Sequence, residues 1–334
     1  MQLAQCTVIS RCGYNSPAVN LQTHPPVSMS AASPALSHTL RGALLIMTAV
    51  ALFVVMDSMS KYLSRFYPVP AIVWARYAFH VLLVVVALGP KMGLGLVRTR
   101  RLRAQLLRGL LLAGSTLFFV FGIKQMPLAE TSSITFIAPV LVTLLAAVIL
   151  KEKVEFARWL AVAGGFIGVL IIIRPGSGVF TWASALPLGS AACFACYQIL
   201  TRKLANLESP YTSIFYAGLV GTVAMSLILP YVWVTPQSPA HALLFVLVGI
   251  VGGLSHLILI KAYAYAPASR LAPFSYTQLI WVLLSGYFVF GDFPDRWSMI
   301  GIAVIVASGI FIARHQHLSE RQQRAELQES TPGA

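Results

Sequence analysis

The chain has 334 residues, of which 57% are hydrophobic and only 10% charged, and its mean hydropathy is +0.78. A soluble domain carries roughly a quarter charged residues, so the ten acidic and twenty-four basic side chains present here could not cover a water-facing surface of this size. The formal charge of +14 does not point to nucleic acid either, because most basic residues stand in short loops between apolar segments, where they set topology and meet anionic membrane lipid.

Residues 1–40 are polar, contain Pro and Ser, and lack the apolar core of a signal peptide. They are expected to form a disordered cytoplasmic tail, with Met1 and Met29 both open as the start. Ten apolar segments follow at approximately 41–63, 70–89, 104–124, 131–150, 157–173, 181–201, 211–230, 241–261, 271–290 and 297–313, separated by Gly, Pro and charged residues. Each is long enough to cross a hydrocarbon core at about 1.5 Å per residue. Backbone amides in lipid need partners within their own segment, so the expected fold is an all-α integral membrane protein with ten transmembrane helices. Residues 314–334 read as a second polar tail. Cys6 and Cys12 lie in the leader and Cys193 and Cys196 in an apolar segment without a βαβ pattern or a second ligand pair. They read as packing residues, and no metal or cofactor is expected.

Alternate loops differ in charge. One side collects Arg11, Arg41, Lys91, Arg98, Arg100, Arg101, Arg103, Arg108, Lys151, Lys153, Arg158, Arg202, Lys203, Lys261, Arg270, Arg314, Arg321 and Arg324, eighteen in all. The other six are Lys61, Arg65, Lys124, Arg174 and Arg296, with Arg76 inside a segment. The asymmetry puts both termini in the cytoplasm of a bacterial inner membrane.

The halves 41–173 and 181–313 resemble each other. Pro127-Leu-Ala-Glu-Thr-Ser-Ser-Ile-Thr-Phe-Ile-Ala-Pro139 leads to Leu150-Lys-Glu-Lys-Val, and Pro267-Ala-Ser-Arg-Leu-Ala-Pro-Phe-Ser-Tyr-Thr-Gln leads to Phe290-Gly-Asp-Phe-Pro. Pro127 and Glu152 are separated by 25 positions, as are Pro267 and Asp292, and a Trp-containing, Gly-dotted final segment follows each acid. Because five is odd, a duplicated five-helix unit enters the membrane from the opposite side. The expectation is therefore two inverted five-helix repeats, an architecture that opens a midplane site alternately to either face.

On these two units the chain resembles ten-helix EamA-type members of the drug/metabolite transporter superfamily over residues 41–313. Met59-Ser-Lys-Tyr-Leu63, Arg108-Gly-Leu-Leu-Leu112, Gly165-Phe-Ile-Gly-Val169 and Phe290-Gly-Asp-Phe-Pro294 are similar to bacterial S-adenosylmethionine uptake transporters. The resemblance implies a central cavity, opened by rocking helices, for a small-molecule substrate that is S-adenosylmethionine-like, amino-acid-derived or riboflavin-like. Export of amino acids or drugs is the alternative it leaves open.

Ionisable groups inside a span are costly and face a cavity or a partner. Asp57 lies six residues before Leu63 and Arg76 six after Pro70, so the two sit at equal depth, about 9 Å in at 1.5 Å per residue. Lys61, four residues on from Asp57, competes as a local partner. Aligning the repeats puts Gln198 opposite Asp57 and Ala217 opposite Arg76. The pair reads either as a clamp between two helices or as a gate or binder for a zwitterionic or carboxylate-bearing substrate. Pro139 removes a hydrogen bond and crowds the carbonyl of Thr135, which kinks a helix and bares backbone to a cavity. Tyr276, Gln278 and Trp281 suit a flat, partly polar ligand, or serve as interhelical contacts. His80 and His256, both mid-span, could titrate in a proton-coupled cycle or simply bond a neighbouring helix. Tyr263 and Tyr265 suit an aromatic belt. Gly164, Gly165, Gly168, Gly301 and Gly309 suit a bundle contact or a homodimer contact. A membrane-embedded enzyme is the rival class, but no H-E-x-x-H and no second in-span acid to pair with Asp57 is present.

Overall fold

The computed structural model describes residues 34–149, 151, 156–174, 182–204, 207–266, 271 and 274–329. The leader with Cys6, Cys12 and Met29, together with Glu152 and Pro267, lies outside the described residues. The helices are α1 (Pro34–Leu63), α2 (Val69–Met92), α3 (Leu102–Gln125), α4 (Leu128–Thr135), α5 (Ala138–Ile149), α6 (Phe156–Ile173), α7 (Ala185–Leu204), α8 (Pro210–Val232), α9 (Pro239–Tyr265), α10 (Thr277–Ser285) and α11 (Arg296–Glu329). No strand occurs among the described residues. Among the described residues, seven helical segments, with Leu128–Ile149 taken as one, are long and apolar enough to cross a membrane, and Trp159–Ile173, Thr277–Phe290 and Arg296–Phe311 are shorter apolar helices.

The helix starts follow from local chemistry. α2, α8 and α9 carry a proline in the first two helical positions, where its missing N–H costs nothing. Ser209 and Ser238 cap α8 and α9, their hydroxyls accepting from Tyr211 N at 3.3 Å and His241 N at 3.2 Å. Two boundaries differ from the sequence expectation. α1 begins at Pro34, inside the stretch read as disordered, and α11 continues to Glu329, through the stretch read as a polar tail. The extension is rich in Gln, Arg, Ala, Glu and Leu, strong helix formers that propagate an existing helix beyond the apolar span.

Packing contacts give each helix a direction. Gly42, early in α1, lies against Ala262 late in α9, and Tyr67, just past α1, bonds His241 at the start of α9, so these two are antiparallel. The same reasoning makes α3 and α7 antiparallel, through Arg108 over Tyr197 and Gly122 against Pro187. α2 and α8 run antiparallel through Trp74–Ser226 and Tyr77 against Gly221, and α6 and α11 through Gly164 against Ser308 and Ile172 against Gly301. Parallel pairs are α2 with α9 (Ala75 at Gly249, Leu83 at Gly253) and α3 with α8 (Gln105 at Ser213, Gly109 at Val220). Each pairing has a counterpart with the halves exchanged. α1 with α9 mirrors α7 with α3, and α2 with α9 mirrors α8 with α3.

An offset of 140 positions relates Pro70 to Pro210, Pro90 to Pro230, Gly109 to Gly249 and Pro127 to Pro267. Gly249 shows why one of these is fixed. A Cβ there would lie 2.7 Å from the Ala75 carbonyl oxygen, so only glycine lets α9 approach α2 this closely. Large apolar side chains such as Val86, Leu227 and Phe288 cover the exposed faces. Trp182, Tyr231, Trp233, Phe293 and Trp297 are exposed at the end bearing Asp292, and Phe156, Trp159, Tyr263 and Tyr265 at the end bearing Glu208, as two interfacial aromatic belts require.

Candidate functional site

The first polar group forms where α1, α2 and α9 meet. Arg76 Nη1 donates to Asp57 Oδ1 at 3.2 Å, with the side chains 16% and 9% exposed. Lys61 does not compete for Asp57. Its ammonium donates to Asp292 Oδ2 at 2.9 Å and to the Met126 carbonyl at 3.2 Å, and stands 4.9 Å from the Phe290 ring centroid. One turn further in, the His80 and His256 rings lie 5.2 Å apart. His256 Nδ1 meets the Gly252 carbonyl at 2.9 Å, and since a carbonyl only accepts, Nδ1 carries the proton. His80 is 5% exposed and its Nε2 has no hydrogen-bond partner.

Arg108 makes a separate polar contact between α3, α7 and α8, although the loop-charge reading placed it among the topology determinants. It is buried within α3 at 2% exposure. Nη2 donates to the Ser213 carbonyl at 2.7 Å, Nη1 to Gln105 Oε1 at 3.3 Å, and the guanidinium carbon stands 5.2 Å from the Tyr197 ring centroid. Position in a helix rather than distance from its end was the signal available in the sequence, since Arg108 is already six residues into α3. Nearby, Tyr77 donates to the Leu112 carbonyl at 3.1 Å and accepts from Thr116 Oγ1 at 2.7 Å.

The second group surrounds the helix breaks. Helix α4 ends at Thr135 and α5 starts at Ala138, so the break falls where the ring of Pro139 would strike the Thr135 carbonyl. Phe136 N and Ile137 N bond three residues back, to Ser133 O and Ile134 O, and Thr135 Oγ1 donates to Ser132 O at 2.5 Å. The matching break is at Tyr276, just before α10. Phe136 and Tyr276 are 140 positions apart, hence equivalent in the repeat, and they stack on each other with centroids 5.6 Å apart and planes inclined by 26°. A residue that meets its own repeat-mate lies on the axis relating the halves. Phe136 was absent from the residues singled out in the sequence, although the offset of 140 marks it. Tyr276 also fills the space beside Gly309, which leaves no room for a Cβ there. Gln278 is half-buried, while Trp281 is 40% exposed and Pro139 is exposed. Ser58, beside Asp57, joins the two groups by meeting Ser285 of α10 at 2.6 Å (Oγ to Oγ).

At the Asp292 end, polar contacts cross between the halves. Besides Lys61–Asp292, Arg174 Nη2 pairs with Asp295 Oδ2 and Ser298 Oγ donates to Glu130 Oε1 at 3.3 Å. Burial acts to raise the Asp295 pKa, but the Ser298 amide at 2.8 Å and Arg174 outweigh it and hold the carboxyl below its ordinary value. Glycines let the two final helices approach each other inside the chain, Gly168 against the Gly301 carbonyl and Gly164 against Ser308.

The model of the EamA-like transporter family matches residues 40–174 and again 181–314. A riboflavin transporter of Vibrio cholerae is 31% identical over 293 residues, covering 86% of this chain and 97% of that protein. An S-adenosylmethionine uptake transporter of Rickettsia prowazekii is 29% identical over 256 residues, covering 77% of this chain and 86% of that protein. A solved crystal structure with 18% identity superposes with a TM-score of 0.59 over 84% of this chain and 99% of that one, a likeness of fold.

Proposed function

This multi-pass membrane chain belongs to the EamA-like transporter family, and we propose that it is a secondary transporter moving a small organic metabolite across the bacterial inner membrane by alternating access. Ten spans form two inverted five-helix units, residues 41–173 and 181–313, with both termini cytoplasmic. The observation that carries this reading is the Phe136–Tyr276 stack. In an inverted repeat the relating axis lies in the membrane midplane, so the stack and the two helix breaks beside it occupy the depth at which a site can serve both faces. Flat aromatic rings and half-freed backbone at that depth suit a cargo with a planar ring system. The relatives' names, a riboflavin transporter and an S-adenosylmethionine uptake transporter, both describe such molecules.

The polar contacts at the Asp292 end act as an outer latch. The sequence holds a second copy of its charges. In the sequence Arg202 and Glu152 match Lys61 and Asp292, and Arg314 and Glu155 match Arg174 and Asp295. Opening and closing of the outer latch would change access to the axis from that face. Asp57 and Arg76 line the path beneath the outer latch, with His80 and His256 as the titratable pair for proton coupling. Reconstitution in proteoliposomes with labelled S-adenosylmethionine, riboflavin and amino acids tests this. Movement of one of them, lost in Asp57→Asn and Trp281→Ala, is expected. If none moves and cellular uptake and export profiles ignore both substitutions, the site assignment is wrong.

A further inference from the structure

Three interior or latch cations have a carboxylate: Lys61 has Asp292, Arg76 has Asp57 and Arg174 has Asp295. Arg108, the most deeply buried of these cations at 2% exposure, forms no ion pair with any carboxylate among the described residues. Isolated charge in a low-dielectric interior is expensive unless something neutralises it. Packing does not require the charge, because the repeat-matched position is Val248, which is 0% exposed and packs α9 in the same way without it.

The guanidinium is only partly used. Of its five N–H donors, the two described bonds take one on Nη1 and one on Nη2. Tyr197 lies over its face, and three N–H donors remain in the guanidinium plane, the plane in which a carboxylate is bound. A second interior polar group also stands unused: His80, in ring contact with His256 and 5% exposed, has an Nε2 without a partner.

We propose that Arg108 is the subsite for a single carboxylate on the cargo, whose ring system occupies the Phe136–Tyr276 axis. One uncompensated positive charge calls for one negative charge, which fits a monocarboxylate better than a phosphate dianion. The inference rests on the transporter reading above and narrows it to carboxylate-bearing aromatic cargo.

The test is equilibrium binding to the purified full chain in nanodiscs, with S-adenosylmethionine, its decarboxylated form and riboflavin as probes, paired with proteoliposome uptake. S-adenosylmethionine should bind about 10- to 100-fold more tightly than its decarboxylated form, the worth of one charge-assisted hydrogen-bonded contact. Arg108→Gln should erase that ratio and leave riboflavin unaffected, while Arg108→Lys should keep part of it. Equal binding of the two S-adenosyl probes to the wild-type chain overturns the subsite, even if Arg108→Gln does not fold. Binding and uptake of riboflavin alone overturns the subsite and leaves the transporter reading standing. Failure of all three probes in both assays overturns the subsite together with the proposed cargo class.

Discussion

The Asp57–Arg76 pair separates a structural role from a functional one. At an N···O distance of 3.2 Å and an effective dielectric near 20, the Coulomb attraction is about 5 kcal/mol. Much of that offsets desolvation, so the net value of the pair is small, but deleting one partner strands the other. Asp57→Asn or Arg76→Gln alone should therefore cost roughly 3–5 kcal/mol. That corresponds to an unfolding midpoint lowered by about 6–15 °C in detergent or nanodiscs. The apolar double variant Asp57→Leu/Arg76→Met removes both charges and should recover most of the midpoint. Transport should stay lost in the double variant if the pair contacts cargo or gates the path. Recovery of transport along with stability would reduce the pair to a clamp between α1 and α2. Singles that leave both the midpoint and transport unchanged would refute the energetic argument itself.

Asp292 is 39% exposed, so its pair with Lys61 is worth about 1 kcal/mol, or roughly a fivefold population change. Asp292→Asn should raise the labelling rate of Ser285→Cys by an impermeant thiol reagent about fivefold, in a background lacking the native cysteines; an unchanged rate means the outer latch does not control access. Asp295 has its carboxyl held below the ordinary 3.8, so its contribution is complete above that value and is lost only as pH falls through the lower folded-state value. The same labelling rate, normalised to that of a free thiol at each pH because the thiolate is the reacting form, should then be flat from about pH 5 to 8, and a step near pH 6 that survives Asp295→Asn would assign pH control to another group. Gly249→Ala would set a Cβ 2.7 Å from the Ala75 carbonyl oxygen and should destabilise by about 1–3 kcal/mol. Gly95→Ala, with nothing within 4 Å of the added carbon, is the matched control, and equal midpoints for the two would contradict the close α2–α9 approach.

Much of the fold was legible because bilayers impose simple rules. Apolar length marked the helices, and Pro139 located the α4–α5 break through its clash with the Thr135 carbonyl. Depth counting brought Asp57 and Arg76 level, and the ion pair is formed. Partner choice was less legible. Lys61 sits four residues from Asp57, yet a residue 231 positions away takes its proton donors. A local helix rule ranks i+4 pairs and cannot weigh a cross-bundle carboxylate of better geometry. Arg108 was misread for a related reason: charge counting treats any arginine near a helix start as a loop charge, whereas burial depends on which helices close over it. Phe136 was missed although the offset of 140 that pairs Pro127 with Pro267 also pairs it with Tyr276.

These omissions share a cause that also bears on mechanism. Whatever obeys the repeat belongs to the scaffold: the matched prolines, the glycines at 109 and 249 and the mirrored helix pairings. Asp57, Arg76 and Arg108 break it, with Gln198, Tyr216 and Val248 in the matching places. A symmetric scaffold gives two states of similar energy, which alternating exposure needs. It gives no reason to prefer one ligand orientation, because an axis presents the same surroundings twice. Cargo with distinct ends requires the symmetry to be broken at the site, and here every in-span acid–base pair and unpaired cation of the described interior stands in the first half. In the transport cycle proposed above, the aromatic stack on the axis would accept a ring from either side, while the charges of the first half would fix which way the molecule lies.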